Sequence, residues 1–133
     1  MAAIGRVAAG ALLVLVGCSN GESAMRSASS EFLTGESVPI NVSEVGGPVQ
    51  VDVGYAFEVG NLDVDFLPGD VRCQFTGTLS GIETGDRSES RSEELDEPFR
   101  PIGVWVVQEG VGEITCGHLL GQEVELRVDV WRV

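Results

Sequence analysis

The chain has 133 residues, 43% of them hydrophobic and 22% charged, which suits one globular domain with a modest core. Its charge is one-sided: 21 Asp and Glu stand against 8 Lys and Arg, for a formal net charge of −13. The basic residues are all arginines and lie scattered, so the clustered cations that phosphate neutralisation demands are missing. Nucleic acid is thereby excluded as a partner, and simple electrostatic attraction to anionic lipid is disfavoured.

Residues 1–17 carry one positive charge, Arg6, ahead of an uncharged run from Val7 to Gly17 that fits the apolar stretch of a secretory signal. That run is too short to cross a bilayer, which takes about 20 residues. Polar residues follow at once, beginning with Ser19, Asn20 and Glu22. At the junction stand Leu15, Val16, Gly17 and Cys18, which resemble the lipobox of bacterial lipoproteins. The resemblance covers the first 18 residues. It implies that residues 1–17 are a signal peptide cut before Cys18, and that Cys18 carries a covalent diacylglycerol. The expected address is a cell membrane, with the protein lipid-anchored on the extracytoplasmic face, either the outer surface or the periplasmic side. Loss of Arg6 with the leader brings the mature net charge to −13 − 1 = −14.

Residues 18–36 read as the lipidated cysteine and a flexible polar tether, since Ser19 to Glu31 are small and polar with no periodic apolar face. From about Val38 the apolar residues recur at every second position, the period of a strand. The clearest run is Val49, Val51, Val53, Tyr55, Phe57 and Val59, interleaved with Gln50, Asp52, Gly54, Ala56 and Glu58, and it predicts a strand with one wet face. Similar alternation occurs at Val38, Ile40 and Val42, at Leu62, Val64 and Phe66, at Val71, Cys73 and Phe75, and at Val124, Leu126, Val128 and Val130. Turn residues separate the runs, as in Gly46-Gly47-Pro48 and Pro68-Gly69-Asp70. Residues 37–133 are therefore expected to form one all-β domain, an antiparallel β-sandwich of about seven strands, with a small barrel as the runner-up. At the end of the last run Trp131 falls on the face opposite Val130, which calls for a bulge or a strand buried on both faces.

Cys73 and Cys116 lie on the apolar parity of their strands. In an oxidising compartment they are expected to pair as a disulfide, the alternative being two buried thiols. The stretch from Gly112 to Cys116 resembles the late strand of an immunoglobulin-like domain, but Ile114 stands where that family has its tyrosine, and Trp105 lies too far beyond Cys73 to be its core tryptophan. The resemblance implies a sandwich architecture, and none of that family's binding surfaces is carried over to this chain.

No catalytic constellation is legible. The single histidine, His118, reads as a strand-end or loop residue, and Ser-His-Asp or Cys-His chemistry needs a nucleophile beside such a base. Asp63, Asp65 and Asp70 are the one oxygen cluster that invites a Ca²⁺ reading, set against a solvated strand face. A polar stretch from Thr84 to Glu97, with Glu93, Glu94, Asp96 and Glu97 beside Arg87 and Arg91, reads as a long mobile hairpin loop suited to recognition. The chain is thus expected to be a non-enzymatic binding module with a protein or cell-wall partner and no cofactor beyond the lipid. The alternatives are a structural envelope component and an enzyme working through paired carboxylates.

Overall fold

The computed structural model describes residues 26–56 and 70–133. Eight strands occupy them: β1 (Arg26–Leu33), β2 (Ser37–Asn41), β3 (Val49–Tyr55), β4 (Val71–Gly77), β5 (Glu83–Gly85), β6 (Arg100–Val107), β7 (Val111–His118) and β8 (Glu125–Arg132), with one short helix, α1 (Val42–Val45), after β2. They form two antiparallel sheets, one of order β1-β8-β3-β6-β5 and one of order β2-β7-β4.

The alternating residues read from the sequence are what joins the layers. Val49, Val51, Val53 and Tyr55 of β3 and Leu126, Val128 and Val130 of β8 are buried in one cluster with Val38 and Ile40 of β2, Val71 of β4, and Ile114 and Cys116 of β7. Phe75 and Trp105 meet edge to face at its border, 5.4 Å between centroids. An all-β sandwich follows directly, because each sheet has one apolar face and only the other sheet to cover it.

Two features differ from the sequence reading. The stretch taken as tether through residue 36 enters the sandwich by Arg26: β1 pairs with β8 from Arg26↔Trp131 to Leu33↔Glu125. No apolar alternation marks this edge strand, because only Phe32 is buried and the backbone ladder supplies the rest. Next, β3 has no wet face. Asp52 and Gly54 are as buried as their apolar neighbours, because residues 86–99 run back across that side of the sheet. The same cover resolves the parity break at the end of β8, which is buried on both faces from Leu126 to Trp131. The expected strand at Leu62, Val64 and Phe66 lies outside the described residues.

Candidate functional site

The segment between β5 and β6 was expected to be mobile, and it is instead a strap seated on the outer face of the five-stranded sheet. Two 3₁₀ turns, Arg87–Glu89 and Ser92–Glu94, shape it. The first opens with a capping box: the Asp86 carboxylate accepts from the Ser88 N–H, and the Glu89 side chain accepts from the Asp86 N–H at 2.7 Å. Hydrogen bonding from the Ser88 backbone holds the Asp86 carboxyl below its ordinary value.

Asp52 grips the middle of the strap. Its Oδ2 accepts from the backbone N–H groups of Arg91 (2.8 Å) and Ser92 (3.0 Å) and from the hydroxyls of Ser90 (3.1 Å) and Ser92 (3.0 Å), while Oδ1 accepts from Gln50 Nε2 at 2.8 Å. Trp131 Nε1 donates to the Ser92 hydroxyl at 3.1 Å, and Gln50 Nε2 also reaches the Glu89 carbonyl at 3.0 Å. A carboxylate removed from water is tolerable only with this density of donors.

Directly across the ladder from Asp52 stands Asp129, also fully buried. Its partners are ionic: Arg127 Nη2 at 3.0 Å and Arg26 Nη1 at 3.5 Å, with the Ser29 hydroxyl donating to Oδ1. Glu97, farther along the strap, meets Arg127 at 2.9 Å and Arg26 at 3.4 Å, so two guanidinium groups serve two carboxylates. Arg127 also stacks over the Phe99 ring, 4.7 Å from guanidinium carbon to centroid. That ring lies against Gly54, where a Cβ would come within 2.5 Å of it, so the close approach requires glycine.

Asp52 and Asp129 are the facing carboxylates that the enzyme reading asks for, but both are sealed beneath the strap with their oxygens committed to donors. Acid–base work needs a reacting group within reach of a substrate. The outward edge of the strap is different: Glu93, Glu94, Asp96 and Glu97 are all exposed. A cavity of about 500 Å³ beside it is lined by Arg87, Ser88, Glu93, Arg100 and Pro101.

The other sequence candidates separate. Cys73 and Cys116 form a disulfide between register partners of β4 and β7, with Cα atoms 4.0 Å apart. The bond lies within one sheet, whereas immunoglobulin domains bridge their two sheets, so the likeness to that family is one of layered architecture. His118 ends β7, and its Nδ1 accepts from the Leu120 N–H at 3.1 Å. Cys18, Asp63 and Asp65 lie outside the described residues. Asp70 precedes β4, where its carbonyl accepts from the Leu119 N–H at 2.9 Å, and no group of three metal-ligating side chains occurs among the described residues. No helix among them is long and apolar enough to cross a membrane. Sequence reasoning missed Asp52, Asp129, Ser90, Ser92 and the Arg127–Glu97 pair; the misplaced Trp131 was the one visible sign that a second covered face exists. Comparison with protein-family models, with curated proteins and with solved structures finds no match.

Proposed function

We propose that the chain is a lipid-anchored extracytoplasmic protein, attached through diacylglycerol on Cys18, whose sandwich is a non-enzymatic binding module for a protein or cell-wall partner. The observation that carries this reading is Leu15-Val16-Gly17-Cys18 closing the uncharged run from Val7. A disulfide between Cys73 and Cys116 suits the oxidising side of a membrane. Seven residues, Ser19 to Met25, separate Cys18 from the first described strand at Arg26, a reach of about 28 Å at most over eight backbone steps, which holds the domain close to its surface. The recognition surface in this reading is the acidic edge of the strap. Anchoring on Asp52 removes most of the ordering entropy that a free loop would lose on binding, and the charge matches a basic partner.

Two experiments test the two halves. Cells given radiolabelled palmitate are expected to label the wild-type chain, whereas Cys18→Ala abolishes labelling and leaves an uncut precursor; labelled Cys18→Ala protein overturns the anchor. For recognition, Glu93→Gln, Glu94→Gln and Asp96→Asn together neutralise the ridge and leave Ser90, Ser92 and Glu97 in place. Detergent-solubilised membranes are expected to yield a salt-sensitive partner with the wild-type protein and to lose it with the triple variant. Equal capture by both proteins rules out the strap as the recognition surface.

A further inference from the structure

The two sulfurs of the disulfide sit in unequal surroundings. Cys116 belongs to β7, the central strand of the three-stranded sheet, and is fully buried; Cys73 belongs to β4, the edge strand of that sheet among the described residues, and is half-buried. A thiolate displaces one sulfur of a disulfide by approaching in line with the bond, from the side opposite the sulfur that leaves. The bond here crosses from β4 to β7 between register partners. In-line approach to Cys73 therefore comes from the sheet edge, and in-line approach to Cys116 from the β2 side, where the ladder is already occupied.

His118 lies two residues from Cys116 on the same face of β7, so its imidazole borders the region where a departing thiolate forms.

We propose that the Cys73–Cys116 bond is a thiol-exchange site of fixed polarity, accepting a small thiol at Cys73. The thiol loses its proton to water, its sulfur forms a bond to Cys73 Sγ, the Sγ–Sγ bond breaks, and the electron pair leaves on Cys116 Sγ, which takes up a proton. The products are a mixed disulfide on Cys73 and a free thiol at Cys116. The seven register pairs between β4 and β7 hold the sheet together when the bond opens. This inference is independent of lipid on Cys18.

The test uses the full chain in its folded state, incubated with reduced glutathione, quenched with iodoacetamide and mapped by peptide mass. Glutathione is expected on Cys73 and the alkyl group on Cys116, with a preference of roughly tenfold or more over the reverse pattern. Glutathione on Cys116, an equal division between the two cysteines, or opening only at denaturant concentrations that unfold the domain overturns the proposal.

Discussion

Asp52 holds the strap by accepting four hydrogen bonds from Ser90, Arg91 and Ser92. Its removal leaves buried N–H and O–H donors without an acceptor. Asp52→Ala is therefore expected to lower the unfolding free energy by about 3–5 kcal/mol, read from urea denaturation, and to open residues 86–97 to proteolysis. A loss within about 1 kcal/mol means that the strap is held by other groups. Arg127→Ala acts in the same direction, because it removes the nearer of the two guanidinium partners of the buried Asp129 carboxylate. Tyr55 offers a cleaner titration, being the one tyrosine in the chain. Burial, and then the neighbouring Asp70 charge, raise its pKa above 10.0, against the opposing pull of Arg100. The folded state thus keeps its phenolic proton longer than the unfolded state does. Stability is unaffected by this group below pH 10 and falls as the pH rises past it. Tyrosinate absorbance of the folded protein is expected to show a midpoint above 10.0; a midpoint at or below that value contradicts the placement of Tyr55.

At the scale of elements, β1 is the first described strand and an edge of the five-stranded sheet. A soluble fragment starting at Ser37 lacks β1 and exposes the ladder of β8, together with the core contact of Phe32. It is expected to melt well below a fragment starting at Arg26, and equal melting temperatures would mark β1 as dispensable. The disulfide contributes at the same scale. Its sequence separation of 43 residues gives about 4 kcal/mol on the chain-entropy model. The double variant Cys73→Ser, Cys116→Ser measures that contribution by denaturant titration.

These elements also show what pattern reading reaches. Strands that bury one face, such as β2 and the inward side of β3, announce themselves through alternation. Strand β1 does not, since its hold on the sheet is carried by backbone groups that every residue possesses. The strap escaped for a related reason: Ser90, Ser92 and Asp52 are polar in composition and buried only because they satisfy one another across some 40 positions of chain. No local window contains both halves of that arrangement. The disulfide was legible, because parity places both cysteines on the covered faces of their strands.

Taken whole, the molecule has two distinguishable ends. Arg26 and Val133 both lie at one of them, since Arg26 pairs with Trp131 at the close of β8. The turn between β7 and β8, carrying the exposed Leu119 and Leu120, lies at the other, where Leu33 pairs with Glu125. Ladder hydrogen bonds run perpendicular to the strands. Tension applied between Arg26 and Leu120 therefore runs along β1 and shears its seven pairs with β8 together, whereas tension between Arg26 and Val133 peels them apart one after another. Optical-tweezer traces with handles at Leu120 are expected to show a higher rupture force than traces with handles at Val133, and equal forces would contradict this pairing. A load between Arg26 and the far tip is thus borne by all the pairs of one ladder at once, because the first described strand runs antiparallel to the last.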